Sequence, residues 1–367
     1  MKSLKLAKKI GQLLMVGFDG ATPSKEIERA IARHHVGGII LFSRNIKNPL
    51  QVAKLTTSLQ ALSKDGPLLI GVDQEGGRVS RLPPPFTQFP PARVYGQLND
   101  IPLTYSAAEA MAKELTAVGI NLDFAPVLDV DTNPDNPVIG DRAFGKTPLL
   151  VAEHGLAMMS GLQDHHVIAC GKHFPGHGDT HLDSHKTLPK VNHSIARLTD
   201  IELKPFIHLV QNRLASIMTA HVLYKALDPK RPATLSKKIV TGLLREAISF
   251  SGVVISDDLE MKGITDQGTV AESAVFAIAA GCDLLLVCHS FDQQVATLEA
   301  LMQAVEEGRI SEARIDQSVS RILALKERFH LGARKVSLAG IQKVVGSDQH
   351  CALVEEIKKR AAVMVGV

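Results

Sequence analysis

Four apolar runs in this chain stop abruptly at ionisable residues. Leu-Leu-Ile-Gly-Val ends at Asp73, which is followed by Gln74, Glu75, Gly76, Gly77 and Arg78. Val-Ile-Ala-Cys-Gly ends at Lys172 and His173, Ile-Met-Thr-Ala at His221, and Val-Val-Ile-Ser at Asp257 and Asp258. Carboxylates, imidazoles and a lysine gathered in one place could do nucleophilic and acid–base chemistry on a polar substrate. Asp257 and Asp258 are adjacent, so at a strand end they point to opposite sides and only one can aim inward. Glu75, Glu260 and Asp123 are rival carboxylates that spacing does not dismiss.

The segment 172–185 is the densest in such groups. His173, His177 and His181 are spaced four apart, but Pro175, Gly176 and Gly178 forbid the helix that would stack them, so a metal site loses its geometry. Asp183-Ser-His185 differs in kind. An Asp two residues before a His can curl back to accept the imidazole N–H, favouring the charged ring and making a general acid. A solvent-facing turn explains the same three residues equally well at this point. No Gly-x-Ser-x-Gly frame surrounds Ser184, which argues against a serine nucleophile.

The elements that would carry these groups alternate. Strand candidates are Leu13–Val16, Gly38–Phe42, Leu68–Val72, Ile120–Phe124, Val167–Gly171, Ala215–Thr219, Val253–Ser256 and Leu284–Val287. Several are nearly continuous in Ile, Val and Leu, as strands buried on both faces require. Helical patterns fall between them, near 24–34, 49–63, 105–118, 148–164, 196–212, 236–249, 267–280 and 291–306. Eight such pairs predict a single (β/α)₈ barrel, with a doubly wound open sheet as the alternative. In a barrel all four polar strand ends share one rim, where active sites are built. Asp283 precedes its strand and reads as structural. Long loops at 125–147 and 172–194 are expected to be functional. The second, rich in Gly and poor in apolar residues, is expected to have little to bury and to move without substrate. Residues 1–330 are read as the catalytic unit and 331–367 as a C-terminal helical extension.

Composition narrows the partners. Among 367 residues, 41 Lys and Arg against 38 Asp and Glu leave a net charge of +3, too slight a basic excess to suggest nucleic-acid binding. Cys170, Cys282, Cys288 and Cys351 form no CxxC pair, so a reducing compartment is expected. The basic start followed by Ile10–Phe18 is broken by Gly11 and Gln12, and reads as a short helix entering a strand rather than a leader. Glu272, Gly281 and Asp283 divide the apolar stretch 270–288 into a helix and a strand rather than a span. A cytoplasmic, monomeric protein free of membrane is expected.

In this order on these strand ends, Gly37-Gly-Ile-Ile-Leu-Phe-Ser-Arg-Asn45, Asp73-Gln-Glu-Gly-Gly-Arg-Val79, Gly140-Asp-Arg-Ala-Phe-Gly145, Lys172-His-Phe-Pro-Gly-His-Gly-Asp-Thr180, Asp183-Ser-His185 and Ser256-Asp-Asp-Leu-Glu-Met261 resemble glycoside hydrolase family 3. The likeness runs over roughly residues 10–330, to the branch of β-N-acetylglucosaminidases that act in peptidoglycan recycling. It implies that Asp257 is a nucleophile, that His185 is an unusual acid/base oriented by Asp183, and that Asp73, Arg81, Arg142, Lys172 and His173 hold the hydroxyls of a terminal sugar. It also implies a retaining reaction with no cofactor or metal. Other branches of the family take a glutamate from a second domain, for which a chain of this length has no room. With no Trp and 4% aromatic residues, long stacking platforms for polysaccharide are not expected. Small soluble GlcNAc-containing muropeptides or disaccharides, GlcNAc linked to 1,6-anhydro-N-acetylmuramic acid, are the implied substrates. A family 3 β-glucosidase or β-xylosidase would share Asp257 but lack the triplet. A metal-dependent hydrolase would use the His-rich loop instead.

Overall fold

The structure is a computed structural model that describes residues 5–184, 186–333 and 336–365. The expected (β/α)₈ barrel is present. Its strands are β1 (Leu14–Val16), β2 (Gly38–Leu41), β3 (Leu69–Val72), β4 (Leu122–Asp123), β5 (Ile168–Phe174), β6 (Ser216–Thr219), β7 (Val253–Asp258) and β8 (Leu284–Val287). They close in sequence order through parallel pairings, with Leu14 opposite Leu285 sealing β1 to β8. Burial on both faces explains their composition: every residue of β1, β2, β3 and β8 is buried. β4 is the shortest, because the chain turns after Asp123 into Ala125 and Pro126.

Most helices fall where periodicity places them, and their caps are local. Ser24, Ser194 and Ser290 accept N–H bonds from Ile27, Arg197 and Gln293, each three residues on. The helix expected at 196–212 is instead two, Ile195–Asp200 and Lys204–Gln211, the second starting with Pro205 in its first turn, where a missing N–H costs nothing. Lys238–Ala247 winds with i→i+5 hydrogen bonds, which no sequence pattern announced. At the N-terminal end of the barrel Asp283 is fully buried among Arg245, Arg314 and Arg321, with Ser318 donating at 2.9 Å. That is the structural role its position suggested.

The helices Ile341–Val344 and Asp348–Val365 lie against the barrel's outer helices. Buried Glu114 joins them to the proline-rich loop after β3: one oxygen takes the Gly346 N–H and the His350 ring, and the other the Thr87 N–H, all at 2.9 Å. Among the described residues no helix is long and apolar enough to cross a membrane.

Candidate active site

At the mouth of the barrel, loops after the strands surround a cavity of about 550 Å³. Its floor is an ion cluster. Lys172, near the rim end of β5, donates to Asp73 at 2.7 Å and lies 2.6 Å from Glu75. Arg142, from the loop after β4, grips Glu75 with two parallel bonds of 2.8 Å. Arg81 stands 3.8 Å from Asp73, held there because its backbone N–H bonds to the Gln74 side chain at 2.9 Å. His173 faces Arg142 at 3.5 Å, while its other ring nitrogen meets Asp129 at 2.7 Å. The five residues expected to hold sugar hydroxyls are therefore neighbours, and all five line the cavity.

Two acids complete the cluster. Burial alone would raise the Glu75 carboxyl, but Arg142 and Lys172 hold it well below the usual carboxylate range. Burial would likewise lower the Lys172 ammonium, yet Asp73 and Glu75 keep it above its ordinary value. Asp129 behaves as Glu75 does: desolvation opposes its charge, and His173 more than compensates. The sequence singled out neither as a partner. Asp129 had only loop membership to mark it, and Glu75 stood merely as a rival carboxylate.

Asp257 and Asp258 end β7 and both border the cavity. They are not equivalent. Asp258 is committed locally: one oxygen accepts the N–H groups of Glu260 and Cys288 at 3.1 and 3.3 Å, and the other lies 3.2 Å from the His289 ring. The Glu260 carboxylate takes the N–H groups of His289 and Ser290, at 2.6 and 3.0 Å. Asp123 is fully buried, accepts from Gln74 at 2.9 Å, and is pushed up by burial toward its neutral form. All the rival carboxylates have structural tasks.

One strand end departs from expectation. His221 does not reach the cavity; it is buried, with Thr234 at 2.8 Å and the Asp258 carbonyl at 3.0 Å on its two ring nitrogens. The chain leaves β6 at Ala220 and turns under the β7 loop, so His221 braces that loop from behind.

The loop from 172 also differs from its expected character. Lys172 through Gly178, Thr180 and Ser184 are all buried. The Asn136 amide donates to the carbonyls of His177 and Gly178 at 2.9 and 3.0 Å, and Asn133 to that of Thr180 at 2.9 Å. The loop thus does bury something, namely its own polar backbone against the loop after β4. The three imidazoles have separate partners: His173 has Asp129, His177 has Thr180 and Ser184, and His181 has Asn133 at 3.1 Å. Asp183 borders the cavity. His185 lies outside the described residues.

His177 gives a pH signature. Burial, then the neighbouring His173, push its ring down to about 4 from an ordinary 6.5. The unfolded chain therefore binds a proton between those values that the folded chain refuses. Stability is complete above about pH 6.5 and falls toward pH 4, by about 3 kcal/mol for this group. Urea titrations across that range should show the slope, and His177→Asn should flatten it; an unchanged slope would remove His177 as its source.

A barrel with such a cavity at its C-terminal rim is the architecture of many glycosidases. Residues 5–325 match the glycosyl hydrolase family 3 N terminal domain, and the chain belongs to that family. It is 37% identical over 342 residues to a β-hexosaminidase of Nitrosomonas eutropha, covering 90% of this chain and 97% of that protein. A β-hexosaminidase of Chromobacterium violaceum is 42% identical over 283 residues, covering 75% and 78%. Among solved structures, a glycoside hydrolase family 3 β-N-acetylglucosaminidase from Paenibacillus sp. strain FPU-7 is similar, with a TM-score of 0.95 and 47% identity. That match covers 98% of this chain and 69% of the other.

Proposed function

We propose that this β-hexosaminidase is a retaining exo-β-N-acetylglucosaminidase that releases terminal GlcNAc from peptidoglycan fragments, disaccharide or muropeptide, during cell-wall recycling. The observation that carries the reading is the composition of one cavity: Asp257 from β7 and Asp183 from the β5 loop border it, over a floor of Asp73, Lys172, His173, Arg142 and Arg81. A closed floor of charged donors and acceptors suits the hydroxyls of a single terminal sugar. Asp257 attacks the anomeric carbon while His185, oriented by Asp183, protonates the departing oxygen. A glycosyl–Asp257 ester results. Water deprotonated by His185 then cleaves it with net retention. A histidine acid is neutral once its proton has gone, so it does not repel Asp257 or an anionic substrate as a second carboxylate would. The 2-acetamido group is not needed as nucleophile. Residues 1–330 form the catalytic unit in this reading and 331–367 its extension. Four free cysteines suit a reducing cytoplasm, where the chain acts as a monomer without cofactor or metal.

The test compares kcat/KM for aryl β-GlcNAc and aryl β-glucoside, with and without EDTA, and follows the anomer first released by NMR. Preference for the hexosaminide, indifference to EDTA and initial β-product are expected. An α-product or loss of activity with EDTA would sink the mechanism. His185→Ala should cost on the order of 10²–10⁴-fold with a sugar leaving group and far less with an acidic phenol. Asp183→Ala should give the same pattern more mildly. Equal losses for good and poor leaving groups would remove His185 as the acid.

A further inference from the structure

The second histidine of the Lys172–Thr180 segment has no part in the mechanism above, yet both its ring nitrogens are held. His177 is buried, its N–H donates to Asp129 at 2.6 Å, and its ring meets Thr180 Oγ1 at 2.8 Å and Ser184 Oγ at 3.0 Å. Its ring also packs edge-on against His173, with centroids 5.8 Å apart. Ser184 is the middle residue of the Asp183-Ser-His185 triplet. Its carbonyl accepts the Gly263 N–H at 3.0 Å, from the short helix Lys262–Thr265 that follows β7.

We propose that His177 is a positioning residue for the acid/base triplet, coupling it through Ser184 to Asp129 and so to His173 on the cavity wall. This rests on the assignment of His185 as acid/base. The Ser184 hydroxyl is held by His177 and its carbonyl by Gly263, while the Asp183 carbonyl accepts the N–H groups of Lys186 and Thr187 at 2.9 and 3.1 Å, so the Ser184 side chain and the carbonyls of residues 183 and 184 are all fixed. The direction in which Asp183 leaves the backbone is fixed with them. The anchor itself cannot drift. Asn136 binds the carbonyls of His177 and Gly178, and a Cβ at Gly178 would lie 1.9 Å from the Val130 carbonyl, so only glycine lets the two loops approach this closely. Asp129 holds the His173 ring with one oxygen and the His177 N–H with the other, both on one rigid carboxylate. Proton transfer requires heavy atoms about 3 Å apart, and a 1 Å misplacement can cost about 10²-fold. His177 and Ser184 both stand on the cavity wall, and an anchor between sugar-binding and proton-donating groups sets the rate by placing them.

The experiment uses Ser184→Ala, which deletes one oxygen and little else, His177→Asn, and the double variant. Each is assayed as kcat/KM across aryl β-GlcNAc substrates with phenols of graded acidity, beside His185→Ala. Both single variants should steepen the dependence on leaving-group pKa, losing about 10–100-fold on the poorest phenol and only a few-fold on the most acidic. The double variant should be no worse than the worse single, because His177→Asn already removes the bond that Ser184→Ala deletes. If His177→Asn fails to fold, Ser184→Ala alone decides the matter. A loss equal across all phenols, or no loss, would overturn the positioning role while a steep His185→Ala series kept the acid assignment. A flat His185→Ala series would instead remove the acid assignment, and this role with it.

Discussion

Asp257→Ala is expected to lower kcat/KM by about 10⁴-fold or more, and by the same factor for every leaving group. The uniformity matters more than the size. A nucleophile is required whatever departs, whereas a proton donor is required only by a poor leaving group. The Asp257 carboxylate accepts the Asp258 N–H at 2.8 Å, and Asp257→Asn preserves that acceptor while removing the attacking charge. The two variants should therefore be equally inactive, and the Asn variant should keep its unfolding midpoint. The alanine variant leaves space beside the anomeric carbon, so azide should enter it and give an α-glycosyl azide from an activated aryl substrate. Activity within tenfold of wild type would end the assignment. Asp258→Asn is the informative companion. Its oxygens order the β7 and β8 loops through Glu260, Cys288 and His289, so it should lose stability and KM more than kcat.

The barrel was legible because strands buried on both faces must be written in Val, Ile and Leu, and that signal survives without tertiary information. The polar strand ends were legible for the same reason: an apolar run that stops at Asp73, Lys172 or Asp257 marks a rim. His221 obeyed the rule in sequence and broke it in space, because the direction the chain takes after β6 depends on what packs behind β7. In the loop at 172–194 composition is a partial guide: His181, Leu182, Lys186 and Lys190 are exposed, whereas Lys172 through Gly178 are buried. Glycine and histidine suggest exposure, but its burial is supplied by Asn133 and Asn136, some forty residues earlier, and nothing local encodes that cover. Glu75 illustrates the same limit for charge. Next to two glycines it looks like a turn residue. Its meaning appears only when Arg142 arrives from the loop after β4 and Lys172 from β5.

Removing Glu75 should therefore be among the most damaging changes available outside the reacting carboxylates. Glu75→Ala leaves Lys172 and Arg142 buried side by side, with Asp73 beside Lys172 and Asp129 near Arg142 as the remaining counter-charges, since Asp123 is pushed toward its neutral form. Deleting one partner of a buried ion pair costs about 3–5 kcal/mol, most of it the penalty of the charges left behind. Activity should fall as well, by about 10²-fold in kcat/KM, because Arg142 loses the two bonds that aim it. Glu75→Gln keeps the volume and one acceptor but turns an amide N–H₂ toward a cation, so it should be intermediate rather than benign. The pH dependence separates this effect from general loosening. The Glu75 carboxyl is held below its ordinary 4.5 in the folded state. The unfolded chain takes up that proton first as pH falls, so the stabilisation is complete above about pH 4.5 and is lost below it. This window lies beneath the one set by His177, and the two can be resolved in one series of urea titrations. Wild type should lose stability steeply below pH 4.5, whereas Glu75→Gln should be less stable at pH 7 and lose correspondingly less on acidification. If the variant and wild type fell in parallel at every pH, Glu75 would not be the charge that holds Lys172 and Arg142 in place. The floor of the cavity would then have to draw its order from Asp73 and Asp129.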